Sequence, residues 1–186
     1  MLFRSVNPLP IPIFTAPSVC LNMPTVFTDQ STTATGNITS WNWNFGDGNN
    51  SAQQSPSHTY NAPGNYTVTL ILTNSFGCKD TLQQNVLVKP LPVVNFSAPP
   101  VCVGTPTCFN DLSTIASGTI TGWSWNFADP SSGNNISNAQ NPCHTFTAAG
   151  NYNVILTATS DSGCQSSTVI SVLVNQIGRA SCRERV

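Results

Sequence analysis

The sequence predicts an all-β protein built as two tandem β-sandwiches, and three observations predict it. The first is a long internal repeat. Trp41-Asn42-Trp43-Asn44-Phe45-Gly46-Asp47-Gly48 returns 82 residues later as Trp123-Ser124-Trp125-Asn126-Phe127-Ala128-Asp129-Pro130. The second is strict alternation. Trp41, Trp43 and Phe45 fall on one strand face with Asn42 and Asn44 on the other, and Tyr66, Val68, Leu70 and Leu72 alternate with Thr67, Thr69 and Thr73. A period of two bounded by Gly, Pro, Asn and Asp marks half-buried antiparallel strands. The third is composition: 7% of residues are charged while hydrophobic content is an ordinary 39%. Thr, Ser and Asn fill the gap, residues of strands and turns. No helical period is visible, and no apolar run approaches the roughly 20 residues of a membrane span.

The repeat organises the chain from end to end. Val6-Asn7-Pro8-Leu9-Pro10 returns as Val88-Lys89-Pro90-Leu91-Pro92. Residues 1–10 therefore read as the remnant of a preceding repeat and its linker, residues 11–90 as the first unit and 93–176 as the second. Prolines 8, 10, 12, 90 and 92 are expected to form stiff extended connections. Phe14 to Cys20 matches Phe96 to Cys102, and Phe27 matches Phe109. Beyond Phe127 the offset grows from 82 to 86: His58 and Tyr60 match His144 and Phe146, Gly64 and Tyr66 match Gly150 and Tyr152, and Gly77-Cys78 matches Gly163-Cys164. The second unit thus carries four extra residues between Phe127 and His144. In the first unit Gly46 and Gly48 suit a tight turn, and Asp47 can accept backbone N–H bonds. The longer loop of the second unit is expected to be exposed and to dispense with glycine at both places.

Residues 177–186, Ile-Gly-Arg-Ala-Ser-Cys-Arg-Glu-Arg-Val, hold three of the six Lys and Arg residues and the one Glu. The string resembles the translation of a sequencing-adapter oligonucleotide, so it is expected to be an artefact outside the fold. Without its net +2, the formal charge of −1 becomes −3 and six of the seven cysteines remain.

Trp43-Asn44-Phe45-Gly46-Asp47-Gly48, Ser55-Pro56-Ser57-His58-Thr59-Tyr60, Gly64-Asn65-Tyr66-Thr67-Val68 and Gly77-Cys78 resemble the polycystic kidney disease (PKD) domain, in the style of surface and secreted proteins of Bacteroidetes-like bacteria. The second unit is similar throughout except at Ala128 and Pro130. The resemblance implies an immunoglobulin-like sandwich of about seven strands, in tandem within adhesins or beside secreted hydrolases. It makes Trp43, Phe45, Gly46, Asp47, Gly48, His58, Tyr60, Gly64 and Tyr66 structural motif residues. Trp125, Phe127, Asp129, His144, Phe146, Gly150 and Tyr152 take the matching places.

Cys108 and Cys143 replace Val26 and Ser57 of the first unit and are out of phase with inward Phe109 and Phe146. Two cysteines arriving together on one outer face predict a cross-strand disulfide. For the other four, one bond per unit is the simplest pairing: Cys20–Cys78 and Cys102–Cys164. The topology implied by the resemblance places the first and last of these loops at opposite ends, which favours the alternative, Cys20–Cys164 across the junction. Either pairing implies an oxidising compartment outside the cytoplasm.

Chemistry is sparse. Residues 1–176 hold six aspartates (29, 47, 80, 111, 129, 161), no glutamate and two histidines. His58 and His144 occupy equivalent places and read as hydrogen-bonded structural side chains. No GxSxG or HExxH occurs, and no enzyme activity is expected. Outside the tail Arg4, Lys79 and Lys89 are the basic residues, too few for nucleic acid. The Trp pairs could stack sugars, but their alternation with Asn assigns them to the core. Zinc lacks a ligand set. Calcium is known to bind some relatives, yet no Asp cluster with loop spacing is present. The expected function is a non-catalytic extracellular structural or adhesive module, spacing its neighbours and presenting loops to proteins or polysaccharides. The alternative is an accessory attachment module of a secreted polysaccharide- or protein-degrading enzyme.

Overall fold

A computed structural model describes residues 7–177. Most of the expected remnant (1–6) and of the tail (178–186, with Cys182) lies outside the described residues. The chain divides into two compact units, Met1–Pro90 and Leu91–Val186, and every described element is a strand. No helix is long and apolar enough to cross a membrane among these residues.

Each unit is an immunoglobulin-like sandwich whose first layer is a five-stranded sheet. In the first unit its order is Val19–Cys20, Lys79–Lys89, Gly64–Asn74, Ile38–Asn44, Asn50–Ser51. The Val19–Cys20 pairing is parallel and the others are antiparallel. The second unit repeats this with Val101–Cys102, Gln165–Asn175, Gly150–Ser160, Ile120–Asn126 and Ile136–Ser137. Alternation decides which side is buried: Val68, Leu70 and Leu72 have no exposed surface, while Thr69, Ile71 and Thr73 between them are half-buried.

The facing layer consists of short pieces. Phe14–Thr15 pairs with Thr28–Asp29, Thr25–Val26 with Ser57–His58, and Pro10–Ile11 with Thr32–Thr33. Pro10 and Pro12, expected in or beside a linker, are buried in the first unit. Proline without an N–H is tolerated in a short edge pairing of this kind.

Between the layers lies an aromatic cluster. Trp43 meets Phe14 edge-on at 5.0 Å and Phe27 at 5.5 Å, and Phe27 meets Phe45 at 5.1 Å. Phe96, Phe109, Trp125 and Phe127 reproduce the set, with Phe96–Trp125 at 5.0 Å, Phe109–Trp125 at 5.3 Å and Phe109–Phe127 at 5.2 Å. Both inner indoles are satisfied: Trp43 Nε1 donates to Gln53 O and Trp125 Nε1 to Ala139 O, each at 2.9 Å.

The turn after Phe45 corrects one expectation. Gly46 and Gly48 both have positive φ (82° and 92°), and a Cβ on Gly46 would stand 2.7 Å from Thr67 O. Ala128, at the place of Gly46, keeps φ at 57°. The four added residues therefore relieve the second glycine position, where Pro130 stands, but not the first. Left-handed backbone costs a non-glycine residue about 1–2 kcal/mol. Gly46→Ala should destabilise by about 2 kcal/mol or more, whereas Ala128→Gly should stabilise by up to about 1 kcal/mol. Urea unfolding of both variants checks this, and an unchanged midpoint for Gly46→Ala would sink it.

Candidate functional site

The second half of the repeated motif folds into a ladder of rings around a carboxylate. Phe45 leaves the sheet, Gly46 turns the backbone, and Asp47 is thereby aimed at the Ser57–His58 strand. Asp47 Oδ2 lies 2.7 Å from His58 Nε2, and Asn49 donates to the same carboxylate from its backbone and side-chain nitrogens. Burial pushes the Asp47 carboxyl up, but hydrogen bonds from His58 and Asn49 outweigh it and hold the group below the ordinary value of 3.8. An ionised carboxylate only accepts, so the proton of the contact sits on Nε2. The imidazole stacks on Phe45 at 4.3 Å and meets Tyr60 edge-on at 4.6 Å; Tyr60 stacks on Tyr66 at 4.0 Å. Tyr60 donates its hydroxyl to Phe45 O at 3.1 Å, and burial, followed by the nearby Asp47 charge, pushes the phenol upward. Gly64, at the start of this strand, has φ 157° and open space around it; Gly150, its counterpart, is equally unobstructed.

The second unit rebuilds the ladder with different anchors. Phe127, His144, Phe146 and Tyr152 follow at 4.3, 4.7 and 4.2 Å. Asp129 is not in an exposed loop, as the sequence led one to expect, but buried with 2% of its surface accessible. Its carboxylate accepts from Thr147 N at 2.9 Å and Thr147 Oγ1 at 2.7 Å, with His144 Nε2 at 3.3 Å. Here too burial pushes the carboxyl up, and bonds from Thr147 and His144 more than reverse it. The exposed part of the loop begins at Pro130. These histidines and aspartates hold strands together, with each carboxylate occupied by its hydrogen-bond donors.

A third carboxylate was not singled out from the sequence. Asp29 Oδ2 accepts from Trp41 Nε1 at 2.8 Å and Gln54 Nε2 at 3.1 Å, and Asp111 Oδ2 accepts from Trp123 Nε1 at 2.7 Å and Gln140 Nε2 at 3.3 Å. The available signal was the shared spacing: Asp and Trp recur together at offset 82, and Gln54 and Gln140 at 86. Trp41 and Trp123, unlike Trp43 and Trp125, are half-buried.

Cys108 and Cys143 are directly paired in register, both exposed, and joined by a disulfide. The expected within-unit pairing of the other four does not occur. Cys78 is a free, half-buried thiol, whereas Cys20, Cys102 and Cys164 are disulfide-bonded. Strand length explains why. Cys20 is in register with Lys89, at the far end of the 11-residue strand that begins just after Cys78. At about 3.3 Å per residue the two lie roughly 35 Å apart, against the ~4.4–6.8 Å between Cα atoms that a disulfide usually spans. Cys102 pairs with Asn175 while Cys164 precedes Gln165, so the same distance separates that pair. Among the described residues no group of three or more His, Cys, Asp or Glu side chains could hold a metal ion.

The family match agrees with this architecture. The family model described as "PKD domain" matches residues 6–89 and again 89–174. The chain belongs to the PKD domain family. The "Pre-pro-metalloprotease PrtV" of Vibrio cholerae is 29% identical over 145 residues, 77% of this chain and 15% of that protein. A "Microbial collagenase" of Vibrio alginolyticus is 33% identical over 103 residues, 49% of this chain and 12% of that protein. The chain therefore spans a small fraction of these relatives' length. Among solved structures, the PKD1 domain of Vibrio anguillarum Epp is 28% identical and covers 45% of this chain and 96% of its own, with a TM-score of 0.42.

Two expected outcomes follow for this pair of PKD domains. Peptide mapping of the unreduced protein should yield a Cys108–Cys143 linkage and an alkylatable Cys78, with neither Cys20–Cys78 nor Cys102–Cys164; a linked Cys20–Cys78 peptide would overturn the register argument. Acid stability is the second. Asp47, Asp111 and Asp129 all have lowered folded-state pKa values, so each contributes stability that is full above the ordinary value of 3.8. It is lost as pH falls below that value towards the folded-state pKa. The unfolding temperature should drop below about pH 4, and Asp129→Asn should cost about 1.5–3 kcal/mol at neutral pH while flattening that acid limb. A wild-type protein as stable at pH 3 as at pH 7 would contradict it.

Proposed function

We propose that these PKD domains are non-catalytic extracellular modules that space and present contact surfaces within a larger protein. The observation that carries this reading is where the titratable groups go. Asp129 and His144 are buried together in the second sandwich, Asp47 and His58 are tied to each other at the rim of the first, and catalysis needs convergent, accessible acids, bases or nucleophiles. The Cys108–Cys143 disulfide supports an oxidising, extracellular location. The contacts would be with extracellular proteins or polysaccharides, weak singly and strengthened by repetition along the chain. Attachment to the insoluble substrate of a secreted degrading enzyme is the second reading, favoured because the similar proteins include a metalloprotease and a collagenase.

A pull-down of the oxidised chain on insoluble collagen, chitin and cellulose, with and without calcium, separates the readings. Retention on one polymer, abolished by substitution of exposed residues, supports substrate attachment. Passage through all three leaves spacing as the function and removes attachment.

A further inference from the structure

The second PKD domain has an open cleft of about 400 Å3 beside Trp123, lined by Asp111, Ser113, Gly118, Thr119 and Gln140 among others. Its volume falls within the roughly 300–1,000 Å3 of small-molecule sites. We propose that this cleft is a subsite for one ring of a neutral, hydroxyl-rich sugar. The proposal rests on reading the domains as contact modules, and names the ligand class and the residues.

The lining selects that chemistry. Asp111 is held in place by three bonds, from Ser113 N at 3.0 Å to Oδ1 and from Trp123 Nε1 and Gln140 Nε2 to Oδ2. Being ionised, it offers its remaining lone pairs as acceptors only, and so calls for a ligand with hydroxyl donors. Gln140 is exposed and presents an amide that can donate or accept. The half-buried indole of Trp123 supplies an apolar ring surface beside these polar groups, the pairing of one flat C–H face and several hydroxyls that a pyranose carries. Among the described residues no Lys, Arg or His lines the cleft, which disfavours phosphate, sulfate or uronate.

The cleft is built before any ligand arrives. Asp161 Oδ2 accepts from Thr119 N at 3.0 Å and Thr119 Oγ1 at 3.2 Å, which fixes Thr119 in the cleft wall. Gly118 has φ +82°, and a Cβ there would stand 2.7 Å from Asp161 Oδ1, so the wall is close because this position has no side chain. In the first domain Ser31 N, Trp41 Nε1 and Gln54 Nε2 hold Asp29 in the same manner.

The test is titration of the 15N-labelled full chain with cellohexaose, chitohexaose, mannohexaose and xylohexaose, followed by NMR. The Trp123 indole N–H and the Gln140 side-chain amide should shift saturably for at least one sugar in the millimolar range. Gln140→Ala should weaken that binding roughly three- to ten-fold, the loss of one hydrogen bond, with backbone signals remote from Asp111 and Trp123 unchanged. No saturable shift with any sugar, or binding indifferent to Gln140→Ala, overturns the proposal. So does displacement of the same two signals by a collagen-like peptide alone. Retention on a polymer without these shifts would sink the subsite and leave the module reading intact.

Discussion

The inner tryptophan holds each sandwich together. Trp43 and Trp125 sit with almost no exposed surface on the strand between the centre and one edge of the five-stranded sheet. The facing layer cannot sustain itself, because its pairings are two or three residues long and offer few ladder hydrogen bonds. It is kept in place by Phe14 and Phe96 standing edge-on to the indoles and by Phe27 and Phe109 beside them. Such aromatic pairs add about 0.5–1.5 kcal/mol each beyond the area they bury. The indole N–H reaches the other way, to the carbonyl of Gln53 or Ala139, and fixes the sheet's edge loop. One side chain therefore ties the layers to each other and the edge to the middle.

Charge is used in the same economical way. Asp29, Asp47, Asp111 and Asp129 each join segments 11 or more residues apart in sequence: an indole and an amide, an imidazole, or a threonine's hydroxyl and N–H. Asp29, Asp111 and Asp129, which are half-buried or buried and held by several donors, are worth more than exposed ion pairs, which contribute roughly 0–1 kcal/mol. The exposed surface is rich in Thr, Ser, Asn and Gln, carries single apolar side chains such as Met23, Phe76 and Ile136, and has few charges. A surface of this kind exerts little long-range steering, so encounter with a partner depends on short-range fit and on repetition.

Much of this was legible in the sequence. Period-two alternation assigned the faces, and phase relative to Phe109 and Phe146 placed Cys108 and Cys143 together on the outside. What stayed hidden depends on register and length in three dimensions. Alternation says which way Cys20 and Cys78 point but not that an 11-residue strand separates them. The Asp29–Trp41 and Asp111–Trp123 bonds cross between the layers, where no local period reports them. Ala128 looked like relief from a glycine requirement, yet the requirement comes from the path of the backbone out of the strand, which the loop's extra length does not alter.

The two domains also show how one sandwich accommodates a longer hairpin. Lengthening a loop by four residues costs little closure entropy, since even a doubling costs only about 0.6 kcal/mol. The sharper difficulty is local: the Gly48 position is now Pro130, and Asn49's bonds to Asp47 have no direct counterpart. The second domain answers twice. Thr147 takes over as donor to the carboxylate, and Asn135 Oδ1 accepts from Asp129 N at 2.6 Å, closing the loop upon itself. The Cys108–Cys143 bond then ties Cys143–Thr145, the second strand after this loop, to its partner Pro106–Cys108 across 35 residues, worth about 3–4 kcal/mol on the chain-entropy model. That exceeds what the insertion costs, so the loop from Pro130 to Asn134 is free to vary without loosening the domain that carries it.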